Sequence, residues 1–96
     1  MDGVTYVEPN HNPIIHEGME PATVVITNAG PGGVEVRVWL ELQPRGSKQD
    51  PFARLQLRPG NTRSVSGCLI RVAVHLSPPG LPLTPPFAAL GWKVVR

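Results

Sequence analysis

Residues 34 to 42 read Val-Glu-Val-Arg-Val-Trp-Leu-Glu-Leu, so Val34, Val36, Val38, Leu40 and Leu42 alternate without a break against Glu35, Arg37, Trp39 and Glu41. Successive side chains of an extended chain point to opposite faces, and one aliphatic set repeating every second residue is the pattern of a half-buried β-strand. Before it lies the turn-rich stretch Asn28-Ala29-Gly30-Pro31-Gly32-Gly33, and before that a strand-like run from Thr23 to Thr27. Together they predict a β-hairpin.

The rest of the chain reads in the same way. Val4 to Glu8 is an opening strand, broken by Pro9 to Pro13; Ile14 to Glu17 is a short extended piece, and Gly18 to Pro21 turns the chain into a strand over residues 22–28. Pro44 to Pro51 is an exposed, breaker-rich loop. Ala53, Leu55 and Leu57 then alternate with Arg54, Gln56 and Arg58 up to the turn Pro59-Gly60-Asn61, after which Thr62 to Ser66 runs as a polar edge strand. From Cys68 to Leu76 the alternation returns, with Cys68, Ile70, Val72, Val74 and Leu76 facing one way and Leu69, Arg71, Ala73 and His75 the other. Five prolines between Ser77 and Pro86 remove backbone donors and favour polyproline II, which makes this stretch a surface loop. Phe87 to Leu90 has room for one helical turn, and Trp92 to Val95 for a closing strand. No sustained helical period of apolar residues occurs.

Ninety-six residues suffice for one domain with one core. The 12 prolines and 10 glycines would suggest disorder if spread evenly, but they punctuate the apolar runs as turns do. The expected fold is all-β: a single small antiparallel β-sandwich of six to eight strands spanning residues 1–96, or alternatively a small β-barrel. Its core should comprise Val24, Ile26, Val34, Val36, Val38, Leu40, Leu55, Leu57, Ile70, Val72 and Val74.

Two groups of residues resemble a known kind of domain. Val24-Val25-Ile26-Thr27-Asn28-Ala29-Gly30, followed by Gly33-Val34-Glu35-Val36-Arg37-Val38, is similar to the hairpin of bacterial immunoglobulin-like or fibronectin-like β-sandwiches of the CARDB type. Leu55-Gln56-Leu57-Arg58-Pro59-Gly60-Asn61-Thr62, and then Ile70-Arg71-Val72-Ala73-Val74, resembles the Leu-x-Pro-Gly turn and following strand of such modules. The resemblance covers about residues 22–76. It implies an immunoglobulin-like sandwich used for adhesion or protein contact, with no catalytic residues. The chain departs from the antibody pattern in having no cysteine pair, and in placing Trp39 by parity with Glu35, Arg37 and Glu41, away from the core.

Several function classes lack their residues. Cys68 is the single cysteine and Met1-Asp2-Gly3 has no signal-peptide character, so the expectation is a reduced, cytoplasmic protein; a secreted or cell-surface location would apply to a chain trimmed from a longer precursor. No apolar run approaches the ~20 residues of a membrane helix, and no membrane insertion is expected. His11 and His16 lie at an odd separation that sends them to opposite faces, so neither a metal nor another cofactor is expected. Cys68 falls on the inward face, opposite in parity to His75, and Ser64 and Ser66 lack a base and a glycine-rich elbow; the chain does not read as an enzyme.

Charge is unevenly distributed. Residues 1–42 carry six acids and one base, and residues 43–96 eight bases and one acid. One explanation is strand pairing that sets acidic strands against basic ones; the other is a basic patch for an acidic partner. With few aromatics and a net charge of only +2, nucleic acid is not the expected partner. Pro-x-x-Pro spacings at Pro79–Pro82 and Pro82–Pro85 read as a stiff connector. The candidate site is the outward face carrying Glu35, Arg37, Trp39 and Glu41, joined by Leu69, Arg71 and His75 from a neighbouring strand. Aromatic and arginine side chains on one sheet face are the composition of a binding hot spot. The expected function is a non-catalytic interaction or structural module that binds another protein or a second copy of itself; the alternative is a carbohydrate- or small-ligand-binding domain using Trp39 or Trp92.

Overall fold

A computed structural model describes residues 2–8, 12–41, 50–74 and 88–95. Among the described residues there are six strands: β1 (Asp2–Val7), β2 (Ile14–Pro31), β3 (Val34–Trp39), β4 (Ala53–Leu57), β5 (Thr62–Val74) and β6 (Ala88–Val95). They form one antiparallel sheet in the order β1-β6-β2-β5-β3-β4. The protein is all-β, as the alternation predicts. In β3 it is strict: Val34, Val36 and Val38 are buried and the residues between them half-buried.

The sheet covers itself. Val7 on edge strand β1 and Leu57 on edge strand β4 are 0% and 1% exposed, and both belong to one cluster that draws on all six strands. Among the described residues no helix is present to bury that face. A sheet without a cover can bury its apolar face only by folding over, and the 17 Å short dimension leaves room for two layers about 10 Å apart.

The two long strands make the fold possible. The first part of β2 pairs Glu17 with Leu69 of β5, and the second pairs Ala22 with Gly67, so Gly18 to Pro21 stand opposite the single residue Cys68. This excursion acts as a large bulge, which bends a strand and increases its twist. Beyond it β2 lies between β5 and β6, whereas the far half of β5 turns toward β3. At the bend a Cβ on Gly67 would fall 2.6 Å from Val38 Cγ1 and 2.8 Å from the Trp39 carbonyl oxygen, so the close approach of β3 requires glycine. Each layer then has its own inward rows. Leu57, Val34 and Val74 align across β4, β3 and β5, as do Leu55, Val36 and Val72; in the other layer Val65, Val24 and Val94 align across β5, β2 and β6.

The expected hairpin between residues 23–27 and 34–42 does not form, because β5 lies between β2 and β3. The stretch Asn28 to Gly33 is a corner that carries the chain from one layer to the other. Asn28 is fully buried, and its side chain accounts for the path. Its Oδ1 accepts from the Gly30 amide at 2.7 Å, an Asx turn that Gly30 completes at φ +83°; its Nδ2 donates to the carbonyls of Gly32 and Leu57, each at 2.9 Å. Its backbone holds the second corner, donating to Asn61 O and accepting from Gly60 N. The β2–β3 and β4–β5 connections are thus tied together by one residue.

Other expectations are corrected by the same geometry. The pieces 14–17 and 22–28 are one strand, as are 62–66 and the start of 68–76, because both halves of each find pairing partners on either side of a bend. Residues 88–90 extend β6 where a helical turn was expected, since they pair with β1. Leu40 is 48% exposed and not in the core: β3 ends at Trp39, its last partner being Leu69, so the alternation beyond it is not used. Leu55 and Val74 are only partly buried against the core. Leu42, His75, Leu76, the proline-rich loop 77–86 and most of the loop 44–51 lie outside the described residues.

Replacing Asn28 with Ala should cost about 3 kcal/mol in urea denaturation, because two buried carbonyls and an amide lose their partner together. Asn28→Asp should fare no better at neutral pH, since a carboxylate oxygen would then face the Gly32 and Leu57 carbonyls. A loss below about 1 kcal/mol for Asn28→Ala would remove this residue from its structural role. Gly67→Ala should destabilise by roughly 1–3 kcal/mol through the clash with β3.

Candidate functional site

The outer face of the layer formed by β4, β3 and the far half of β5 carries the candidate residues. Register places Arg37 directly opposite Arg54 of β4 on one side and Arg71 of β5 on the other. Three arginines therefore form a row across three strands. One step toward the end of β3, Trp39 lies opposite Leu69, whose other neighbour is Glu17 of β2. One step the other way, Gln56, Glu35 and Ala73 align. Directly opposite residues have their Cβ atoms about 5 Å apart, so each row acts as a unit.

Two of the arginines meet a carboxylate near them in sequence, and the third meets a distant backbone carbonyl. Arg37 Nε donates to Glu35 Oε1 at 2.7 Å, along the same strand. Arg54 Nη2 lies 3.5 Å from Asp50, and Arg71 Nη2 donates to the Asn12 carbonyl at 3.4 Å. Acidic strands set against basic ones, the first explanation of the uneven charge, do not describe this row: arginine faces arginine. The Arg37 and Arg54 side chains are 34% and 53% exposed, and Arg71 is exposed.

Of the predicted face, Glu35, Arg37, Trp39, Leu69 and Arg71 come together as parity requires. Two details differ. Leu69 and Ala73 are 6% and 5% exposed although they sit outside the main core, so the outer face has an apolar floor. Glu41 is exposed and follows the end of β3, outside the paired rows. His75 lies outside the described residues. Arg54 and Glu17 are the members that sequence reading missed. The alternation of residues 53–58 puts Arg54 on an outward face, but only strand order shows that this face continues that of Arg37.

The remaining candidates are committed elsewhere. Trp92 donates Nε1 to Thr5 Oγ1 at 2.9 Å, and its ring covers Gly3, so it joins β6 to β1. Cys68 is buried at the β2 excursion, where its Sγ donates to the Met19 carbonyl at 3.7 Å. The excursion walls an open cleft of about 550 Å³ that includes His16, Glu17, Met19 and Glu20. The outer face of the opposite layer satisfies its own hydroxyls, with Thr23 bonded to Ser66 and Thr27 to Thr62, both at 2.8 Å. Among the described residues no helix is long and apolar enough to cross a membrane. Comparison with protein-family models, with curated proteins and with solved structures finds no match for this chain.

Like charges directly opposite one another are unfavourable. Arg71→Gln should therefore raise stability by about 0.3–0.5 kcal/mol in urea denaturation at low ionic strength. The gain should fade in 1 M salt, where screening acts within ~3 Å. A loss of stability at both salt concentrations would show that the row is not repulsive.

Proposed function

We propose that this chain is a non-catalytic interaction module, an immunoglobulin-like β-sandwich of the adhesion-related kind, that binds another protein or a second copy of itself through the outer face of β4, β3 and β5. The carrying observation is the placement of Trp39 opposite Leu69 beside three cross-strand arginines. Tryptophan and arginine contribute most of the energy at protein interfaces, and an apolar floor rimmed by charge is how such interfaces are built. The face stands on paired strands, so its side chains are held in place before a partner arrives, which lowers the ordering cost of association.

The non-catalytic part of this reading is supported by the place of the single cysteine. The Cys68 thiol is buried and donates to the Met19 carbonyl, which supports a structural place for it. A cytoplasmic location fits a chain whose single cysteine is a buried thiol. For the carbohydrate-binding alternative, Trp92 offers little, since its indole Nε1 donates to Thr5 and its ring covers Gly3.

Sedimentation of the chain over a concentration series, together with capture of partners from lysate, tests the reading. An interface protein should gain mass or retain a partner, and Trp39→Ser should abolish this while leaving the thermal melt within a few degrees of the parent. A sugar binder should stay monomeric and shift its Trp39 indole resonance on addition of glycans. If Trp39→Ser changes neither mass nor capture, this face is not the interface.

A further inference from the structure

We infer that copies of this chain join edge to edge, β1 of one copy pairing antiparallel with β4 of the next and extending the sheet between them. Among the described residues each of these strands has a neighbour on one side only. An edge strand presents a row of backbone donors and acceptors, and proteins blunt such edges with proline, lysine or a bulge. Asp-Gly-Val-Thr-Tyr-Val in β1 and Ala-Arg-Leu-Gln-Leu in β4 contain neither proline nor lysine, and both keep an unbroken register with their one neighbour. On β1, Val4 and Tyr6 are also 62% and 57% exposed.

The faces of the two edges match. Full antiparallel overlap of residues 2–8 with residues 52–58 sets Asp2 opposite Arg58, Val4 opposite Gln56 and Tyr6 opposite Arg54 on the outer side. On the inner side it sets Gly3, Thr5 and Val7 opposite Leu57, Leu55 and Ala53. Val7 and Leu57 are core residues, and Ala53, Leu55 and Trp92 pack against that core, Trp92 bonding to Thr5 and covering Gly3. The joined strands therefore carry one apolar layer from copy to copy. A slip of one residue would turn one strand over and end this match.

Charge selects this pairing over the alternatives between copies. Asp2 and Arg58 are exposed and of opposite sign, Glu8 falls diagonal to Arg54, and Tyr6 offers its ring to the same guanidinium. Within each copy Asp2 stands in register with Lys93 of β6, and Arg54 lies 3.5 Å from Asp50. An ion pair as exposed as Arg54 with Asp50 holds its members weakly. The same overlap of β1 with a second β1 sets Asp2 against Glu8 at both ends, and that of β4 with a second β4 brings Arg54 diagonal to Arg58. Like charges so placed disfavour pairing. Because the two edges differ, a joined pair still presents one β1 and one β4, and the contact repeats unless its rotation closes a ring. Trp39 stands on β3, one strand in from the joint, so the edge contact does not depend on the outer-face reading.

A single strand pair buries less than a standard interface, so the contact is read by trapping at high protein concentration. Full chains carrying Val4→Cys or Gln56→Cys, one of the two tagged, are mixed and treated with a short bifunctional thiol cross-linker. The parent, whose single Cys68 is buried, serves as the blank. The mixture should give the tagged–untagged dimer in large excess over like pairs, and each variant alone should give little. Arg58→Glu in the Gln56→Cys chain should cut the yield about fivefold at low salt, and Asp2→Lys in the Val4→Cys chain should restore it. Trp39→Ser should leave the yield unchanged.

Like pairs from Val4→Cys alone in equal yield would overturn the assignment, as would an absence of trapping or a yield indifferent to Arg58→Glu. A yield lost in Trp39→Ser and unchanged by Arg58→Glu would overturn the edge contact and leave the outer face as the surface between copies. The substituted edge positions are all exposed, and circular dichroism melts of each variant ensure that a loss of trapping is not a loss of fold.

Discussion

A buried amide holds the corners of this protein together. Asn28 satisfies the Gly30 amide and the Gly32 and Leu57 carbonyls with its side chain, and joins Gly60 and Asn61 through its backbone. Two connections cross between layers at this point, and crossing connections leave backbone groups that no strand ladder can pair. Without an internal partner those groups would need water, which the apolar core around Asn28 cannot supply. An aliphatic side chain could fill the space but could not satisfy the bonds, and an acid could satisfy only part of them. The separation of β2 from β3, and hence the whole strand order, depends on this arrangement.

That strand order has a functional consequence. Because β5 inserts beside β3, Arg71 faces Arg37 and Leu69 faces Trp39; because β4 follows on the other side, Arg54 completes the row. A hairpin of β2 with β3 would have distributed these side chains differently. The same bend that lets β5 reach β3 demands Gly67, with no room for a Cβ beneath Val38 and Trp39. Structure and candidate site are therefore coupled through a single crowded crossing. On the opposite outer face hydroxyls bond to one another, Thr23 to Ser66 and Thr27 to Thr62.

The features legible in the sequence were those set by neighbours along the chain. Val34, Val36 and Val38 on one face and Glu35, Arg37 and Trp39 on the other follow from the pleat alone, and so does the division of Leu69, Arg71 and Ala73 from Ile70 and Val72. The failures began where pairing entered. Asn28 to Gly33 has the composition of a hairpin turn, and nothing local distinguishes such a turn from a corner that crosses between layers. Gly18 to Pro21 has the composition of a turn too, yet the strand resumes on the same partner. Leu40 continues a perfect alternation past the last paired residue, and alternation by itself does not say where a neighbour ends.

The sequence by itself determined that this is an all-β chain, and which side chains share a face of each strand, because both follow from the two-residue period of an extended backbone. It also determined that Trp39 keeps company with charge and not with the core. Only the tertiary structure decided which strands are neighbours, and so turned three arginines far apart in the chain into one row. The physical reason is that cross-strand contact depends on register and strand order, which Asn28, Gly67 and the β2 excursion settle through hydrogen bonds and close packing between distant segments.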